Sequence, residues 1–547
     1  MATAEIVPAG TALAGSKIDH EASRKPNRKI DRQAGFISIA AFVAACAVSI
    51  AYIVRHVAQD LDSASATSSR SLLLLGSALV IALGFEFVNG FHDTANAVAP
   101  VIYTHSLEPG LAVVWSGLCN LAGVLFSTGT VAFAVVTLLP VELILKVSSG
   151  AGFSMVFALL IAAILWNLGT WWLGLPASSS HTLVGSIMGV GLANQLMSPH
   201  TGTSGVDWDQ ATKVLKALLF SPLLGFTLAA LLILASKALL RFPELYKPPK
   251  NEEPPPFPIR LLMVLTCTGV SFFHGSNDGQ KGMGLIMLIL IGTVPTAYAL
   301  NHGMGPSQVQ QFISASEQTV QILNRHVDPR GAVASSASGE LTNYIRAKRL
   351  QPGTLAAMRT LVEEMSRQAA AAKDFRTLPP QEQSKLRNDM YVVGEALRLM
   401  QKSNDPALTR EERKILGVYK SEIDRATKFI PAWVKVAVAL GLGLGTMVGW
   451  KRIVITVGEK IGKQPLTYAQ GAAAGIVAMG TIFAADQFGL PVSTTHILSS
   501  GIAGTMTANG NGVRLRTVCH IAAGWVCTLP AAALLSASLY WLFRHFA

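Results

Sequence analysis

Long apolar runs are the feature of this 547-residue chain that most restricts its fold. A helix needs roughly 20 apolar residues to cross the hydrocarbon core of a bilayer. The runs at 36–54, 110–139, 213–240 and 515–543 each reach about that length. Only 14% of the residues are charged, whereas a soluble protein carries about 25%. The sequence therefore predicts an all-α fold and a polytopic membrane protein.

Two polar motifs each occur twice within this apolar sequence. The first contains aspartate beside glycine and reads Gly90-Phe-His-Asp93-Thr-Ala-Asn96 and then Gly275-Ser-Asn277-Asp278-Gly-Gln-Lys281. The second is rich in hydroxyl residues and reads Gly174-Leu-Pro-Ala-Ser178-Ser179-Ser180-His181 and then Gly489-Leu-Pro-Val-Ser493-Thr494-Thr495-His496. A duplicated polar site within the hydrocarbon layer is typical of a secondary transporter built from two repeats.

The spacing of these motifs predicts the domain organisation. The two motifs start 84 residues apart in the first half and 214 apart in the second, and the difference of 130 equals the length of the polar stretch 301–430. Apolar residues at helical spacing (Leu355, Met358, Leu361 and Met365) suggest that this stretch is helical. We expect, in chain order, a disordered cytoplasmic N-terminus (1–35), an extra transmembrane helix and loop (36–70), repeat 1 (71–240), a Pro-rich cytoplasmic linker (241–259), the first part of repeat 2 (260–300), a helical extramembrane insert (301–430) and the rest of repeat 2 (431–547).

Each repeat contains about five embedded segments, the first of them broken near its aspartate. In repeat 1 we expect them at 72–104, 110–139, 151–172, 177–195 and 213–240, and in repeat 2 at 261–300, 431–450, 467–486, 489–508 and 515–543. Five is an odd number, so repeat 2 should be inverted relative to repeat 1. Lys and Arg gather in the loops of one side, which the positive-inside rule makes cytoplasmic. The same rule explains the net charge of +12, so that charge does not indicate a nucleic-acid-binding protein. It also predicts a cytoplasmic N-terminus and places the insert and the C-terminus on the outer side of the membrane.

The hydroxyl motifs have the form of helix starts. Proline followed by Ser or Thr and then an apolar run is typical of a helix N-terminus. Backbone N–H groups in a first helical turn are unpaired and carry partial positive charge. With adjacent hydroxyls they can bind a tetrahedral oxyanion. Plain capping is the favoured explanation of a single copy. Two matched copies, both ending in His, instead favour an anion site formed by Ser178, Ser179, Ser180, Ser493, Thr494 and Thr495.

The aspartate motifs suggest a cation site. Asp93 and Asp278 lie in apolar surroundings, where a carboxylate is costly unless a cation or proton compensates it. Asn96 and Asn277 can donate to an anion or offer oxygen to a cation. Lys281 can neutralise Asp278 or face the anion directly. Glu86 is either a proton carrier or a structural partner of a residue such as Lys281.

Together these motifs resemble the Pit family of inorganic phosphate transporters. The aspartate motifs are similar to its duplicated G-A-N-D-V-A-N-A signature, and the hydroxyl motifs to its second duplicated motif. The form of both aspartate motifs, and an insert placed after the second, resemble the low-affinity bacterial branch. The resemblance implies phosphate as the substrate, held by the hydroxyl residues and the motif asparagines, with the acids serving the coupling ion. It also implies protons as that ion, neutral complexes of phosphate with divalent metal such as Mg²⁺, and a bacterial inner membrane.

We therefore predict a proton-coupled phosphate symporter without cofactors, and not an enzyme. Asp93, Asp278 and Glu86 would serve the coupling ion. The six hydroxyl residues, Asn96, Asn277 and Lys281 would bind phosphate. The alternatives are sodium coupling, another oxyanion, and a membrane receptor whose working part is 301–430. The residues that would contact a metal ion are unknown, and a homodimer remains open.

Overall fold

The chain is almost entirely helical. The computed structural model describes residues 35–62, 69–139, 144, 150–197, 206–249, 253–327, 336–372, 375–403 and 408–546. Within these ranges the only β pairing is an isolated bridge between Gly462 and Val513. Eight helices of the described chain are long and apolar enough to cross a membrane. The predicted all-α, multi-pass fold is confirmed, whereas residues 1–34 of the predicted disordered segment lie outside the described residues.

The first half contains the extra helix and the helices of the predicted repeat 1. In chain order they are α1 (Phe36–Asp62), α2 (Ser69–Asp93), α3 (Ala95–Tyr103), α4 (Pro109–Phe126), α5 (Thr130–Val136), α6 (Gly150–Trp172), α7 (Ser179–Met197) and α8 (Trp208–Leu239). Asp207 begins α8, and its carboxylate accepts hydrogen bonds from the first backbone amides of that helix.

The second half begins with α9 (Phe257–Thr293) and a short turn, α10 (Pro295–Tyr298). The insert follows as α11 (Pro306–His326), α12 (Ala337–Ala347), α13 (Thr354–Ala372), α14 (Pro380–Lys402) and α15 (Arg410–Thr427). The chain then returns to membrane-type helices. These are α16 (Ala432–Thr446), α17 (Lys451–Ile455) with a π-helical turn (Thr456–Lys460), α18 (Tyr468–Gln487), α19 (Thr494–Asn509) and α20 (Leu515–Phe546).

The insert has a hydrophobic core of its own. Leu355, Met358, Leu361 and Met365, which the sequence placed on one helical face, are all buried in it. It docks on the membrane helices through an ion pair, since Arg398 Nη2 lies 2.9 Å from an oxygen of Asp207 at the start of α8. Lys348 also contacts Asp209 in that first turn. The insert is therefore a helical unit attached to the start of α8.

Helices of the two halves exchange partners. Helix α2 packs on α16 and α9 packs on α4, while α7 packs on α20 and α19 packs on α8. In terms of segment order, the first segment of each half packs on the second segment of the other, and the fourth packs on the fifth. Each half therefore buries its helices mainly against the other half.

The glycines of the aspartate motifs permit close helix contact. A Cβ on Gly90 would lie 2.2 Å from the carbonyl oxygen of Leu442 on α16, and one on Gly275 would lie 2.1 Å from that of Asn120 on α4. The predicted break at the second aspartate motif is wrong, because α9 continues unbroken from Phe257 to Thr293. Intact helical hydrogen bonds are favoured in an apolar environment. In the first half the interruption is one residue, Thr94, between α2 and α3.

Candidate functional site

Both hydroxyl motifs begin helices, as the sequence predicts. Helix α7 starts at Ser179 and α19 at Thr494. The preceding serines are the caps: Ser178 Oγ accepts a hydrogen bond from the His181 amide at 3.2 Å, and Ser493 Oγ accepts one from the His496 amide at 3.1 Å. The remaining hydroxyls are thus left for other contacts, and all six hydroxyl residues are buried.

The aspartate motif of each half contacts the hydroxyl motif of the other half. Thr495 donates to Asp93 Oδ1 at 2.7 Å and accepts a hydrogen bond from the Asn96 amide at 2.9 Å. In the reciprocal pairing, the Lys281 ammonium group contacts the Ser180 hydroxyl. Asn96 and Lys281 therefore hold equivalent positions, each bonded to the third hydroxyl of the opposite motif.

Asp93 and Asp278 lie together at the centre of the site. Ser179 Oγ lies 2.8 Å from an oxygen of Asp93 and 3.2 Å from one of Asp278, so one hydroxyl reaches both carboxylates. His274 Nε2 is 3.7 Å from each of them. One ligand atom from each of Asp93, His274 and Asp278 lies within 4.8 Å of the others. This cluster is the part of the described chain that could hold a cation between the halves.

The two carboxylates have different charge environments. Lys281 Nζ lies 2.7 Å from Asp278 Oδ1, and both side chains are buried. Among the described residues, the basic side chains within 4.0 Å of Asp93 are histidines, with His92 Nδ1 at 3.0 Å and His274 Nε2 at 3.7 Å. The second ring nitrogen of His92 is bonded to Thr170 at 3.1 Å.

Two predicted site residues have other surroundings than expected. Asn277 is bonded to backbone of the loop before α19, donating to Leu490 O at 3.1 Å and accepting from Val492 N at 3.4 Å. These bonds fix the backbone just before Ser493, the first hydroxyl residue of the second motif. Glu86 is fully buried, and its carboxyl oxygens make no hydrogen bond of normal geometry to any residue that the structure describes. It forms no ion pair with Lys281, whose ammonium group is bonded to Asp278 and Ser180.

Sequence reasoning missed a further buried acid, Asp486, at the end of α18. Its oxygens accept hydrogen bonds from Ser276 Oγ and Gln280 Nε2, both at 2.7 Å. Gln280 in turn accepts from the Val131 amide at the start of α5, at 2.9 Å. A lone acid at the end of an apolar segment could have been noticed, but nothing in the sequence predicted its partners.

Asn120 was missed for the same reason. It bonds His274 at 2.8 Å and Thr446 at 3.0 Å, and so connects the carboxylate cluster to α4 and α16.

The His181 and His496 rings lie with their centroids 4.4 Å apart, and His496 stacks on Trp525 at 4.1 Å. The two hydroxyl helices therefore meet at their first turns.

Several buried polar atoms around these helix starts have no hydrogen-bond partner in the described chain. They are Thr494 Oγ1, Asn96 Oδ1, His181 Nδ1 and His496 Nε2. Buried polar atoms are almost always paired in native proteins. Unpaired atoms gathered at two helix N-termini indicate a site that receives a polar ligand.

A duplicated polar site enclosed by helices of membrane-spanning length defines the class of secondary transporters. The chain belongs to the phosphate transporter family PHO4, which matches residues 89–536. Membership of a transporter family confirms the prediction that the protein is not an enzyme.

Named relatives are similar over most of their length. The chain is 39% identical to the low-affinity inorganic phosphate transporter PitB of Escherichia coli K12, over 86% of this chain and 96% of that one. It is 40% identical to PitA of the same organism, over 87% and 97%. A solved structure titled the sodium-dependent phosphate transporter aligns with 87% of this chain and 100% of its own, with a TM-score of 0.48 and 18% identity.

Proposed function

We propose that this protein carries inorganic phosphate across the inner membrane into the cytoplasm, coupled to protons. The observation that carries the proposal is the bonding of each aspartate motif to the opposite hydroxyl motif. The named relatives, which are inorganic phosphate transporters, support the choice of phosphate.

The hydroxyl helices supply the anion site. Ser179, Ser180, Thr494 and Thr495 lie in the first turns of α7 and α19, where unpaired backbone N–H groups favour an anion. The Lys281 ammonium group adds a positive charge beside Ser180. The Asn96 side-chain amide donates a hydrogen bond to the Thr495 hydroxyl. A tetrahedral oxyanion would take donors from both halves.

The shared hydroxyls link anion binding to cation binding. A hydroxyl has one proton to donate, and the Ser179 and Thr495 protons are directed at the aspartates. When phosphate takes these donors, Asp93 and Asp278 lose hydrogen bonds in a buried environment. A carboxylate in that state needs a proton or a cation. Phosphate and the coupling ion would therefore favour each other's binding.

The surroundings of the carboxylates support protons over sodium. A hard cation prefers a shell of several oxygen atoms. Here nitrogen atoms of His92, His274 and Lys281 are the nearest charged or titratable neighbours of the two aspartates. An imidazole nitrogen can donate a proton to a carboxylate or accept one from it. Glu86, buried without a bonded partner, would carry the proton on its way to this site.

The exchange of helix partners supports an inverted-repeat mechanism. Interchanging the two halves converts the contact of α2 with α16 into that of α9 with α4, as a two-fold relation between repeats requires. A site at such an interface can open alternately to either side as one half moves against the other. The insert, joined to the start of α8, would lie on the periplasmic side.

The test is uptake of radiolabelled phosphate into proteoliposomes with an imposed pH gradient, with and without Na⁺ and Mg²⁺. We expect uptake driven by an inward proton gradient in the absence of Na⁺. Stimulation by Mg²⁺ would support transport of a metal–phosphate complex. Uptake that requires Na⁺ would reject proton coupling, and competition by sulfate as strong as by arsenate would reject a phosphate-type site. Absence of uptake from folded protein would favour the receptor alternative.

A further inference from the structure

The two halves of the site differ in charge at one pair of equivalent positions. Asn96 and Lys281 each lie three residues after their aspartate and each bond the third hydroxyl of the opposite motif, Thr495 and Ser180 respectively. One side chain is a neutral amide and the other a positively charged ammonium group. The second half therefore contains a cation where the first half has none.

This ammonium group is bound to the carboxylate of its own half. Lys281 Nζ lies 2.7 Å from Asp278 Oδ1, and each side chain is at most 2% exposed. Both groups lie one turn apart on α9, which runs through the site without a break. Among the described residues, no other lysine or arginine lies within 4.0 Å of Asp93 or Asp278.

Asp93 has no such partner. Its neighbours are the hydroxyls of Ser179 and Thr495 and the rings of His92 and His274. Once phosphate takes the hydroxyl protons, Asp278 still has the Lys281 charge beside it, whereas Asp93 needs a charge from outside. A buried carboxylate and ammonium at this distance compensate each other without a further ion.

We propose that Lys281 is a tethered cation that replaces a second coupling ion, so that only Asp93 takes a coupling ion in each transport cycle. The ammonium group is bonded to the chain and cannot dissociate, so it contributes charge to phosphate binding but is not transported. The number of coupling ions per phosphate is thereby one lower than in a site with amides at both positions. This inference rests on the proposed phosphate transport.

The test compares the wild type with K281N and with the reciprocal variant N96K. Each protein is reconstituted in liposomes at zero membrane potential, with the same tenfold inward gradient of H⁺ and Na⁺. The measured quantity is the ratio of the internal to the external phosphate concentration at which net phosphate flux stops. Each additional coupling ion changes that ratio by about tenfold. We expect the ratio to rise about tenfold in K281N, which needs one more ion, and to fall about tenfold in N96K, which needs one fewer.

K281R is the matched control, because it keeps the charge and should leave the ratio unchanged. A K281N variant with the wild-type ratio and only a raised KM for phosphate would overturn the proposal and make Lys281 a phosphate ligand alone. So would a folded K281N that neither accumulates nor exchanges phosphate while K281R does both. Since the ratio compares variants, it does not depend on which protonated form of phosphate is carried. A wild type that transports no phosphate would instead reject the proposed function.

Discussion

The Thr495 hydroxyl donates a hydrogen bond to Asp93 Oδ1 at 2.7 Å, although the two residues are 402 positions apart in the chain. The same hydroxyl accepts from the Asn96 amide at 2.9 Å. Thr495 thus joins the first aspartate motif to the second hydroxyl motif, and it lies between the groups proposed for cation and anion.

Replacing Thr495 by Val should test this junction, because Val keeps the shape and removes the hydroxyl. The variant removes one of the hydrogen bonds to Asp93, which keeps Ser179 and His92 as neighbours, and it leaves the Asn96 amide without its hydroxyl partner. An unsatisfied buried polar group costs about 1–3 kcal/mol. We expect phosphate uptake to fall by about 10- to 100-fold. Thr227→Val is the control, since the Thr227 hydroxyl bonds only carbonyls of its own helix. Equal uptake by both variants would contradict the assignment.

Asp93→Asn should abolish uptake driven by the proton gradient. The substitution removes the only motif carboxylate that has no lysine beside it, so no proton or cation is needed there. Phosphate exchange across the membrane without a gradient should persist, because exchange needs no net movement of the coupling ion. Asp209→Asn, at an exposed carboxylate near the insert, should leave accumulation intact. If Asp93→Asn were silent and removal of 301–430 abolished function, the receptor alternative would be preferred.

Glu86→Gln distinguishes a proton carrier from a structural residue. Glu86 is buried, and its carboxyl group has no hydrogen-bond partner in the described part of the chain, so the neutral isostere should be accommodated without loss of folding. We expect exchange of phosphate at the wild-type rate and accumulation slowed by about 100-fold or more, the lower end of the range for loss of a proton-transfer group. The measurement is the ratio of accumulation to exchange in the same vesicles. An unchanged ratio would remove Glu86 from the proton route.

Gly90→Ala should destabilise the protein, whereas Gly84→Ala on the same helix should not. A Cβ at position 90 would collide with backbone of α16, while one at position 84 meets nothing within 4 Å. Overpacking costs about 1–3 kcal/mol, and alanine at an open helical site is favourable by about 0.5–1 kcal/mol. Thermal unfolding in detergent measures both. A similar melting temperature for the two variants would contradict the close contact between α2 and α16.

Asp389 in the insert should make stability depend on pH. Burial raises the pKa of Asp389 to about 6, above its value of about 3.9 in an unfolded chain. Between these values the folded state binds more protons than the unfolded state, so stability falls as the pH rises, and the full cost is present above pH 6. Asp389→Asn should therefore slow amide hydrogen exchange of α14 at pH 7.5 but have little effect near pH 4. A difference of equal size at both pH values would assign the effect to packing.

Local patterns were sufficient to predict much of the fold. The apolar runs at 36–54, 213–240 and 515–543, the helix starts at Ser179 and Thr494 and the helical face of the insert all depend on neighbouring residues, and these are confirmed. The run at 110–139 is instead divided into α4 and α5, because Gly129 has a left-handed backbone conformation that a helix does not accommodate. The break predicted at the second aspartate motif was wrong, because glycines can serve either a helix break or a close helix contact, and α9 continues past the motif to Thr293. Which of the two occurs depends on whether another backbone lies against them, as that of Asn120 does at Gly275.

The candidate site was only half predictable. The sequence by itself determined that acids and hydroxyls occur twice in a membrane protein, because composition and spacing are properties of the chain. Only the tertiary structure decided that each aspartate motif contacts the opposite hydroxyl motif, that Lys281 is bonded to Asp278 rather than to Glu86, and that Asp486 is held by Ser276 and Gln280. These pairings join α2, α3 and α9 to α7, α18 and α19. Contacts between segments so far apart in the chain leave no periodic pattern in any of them.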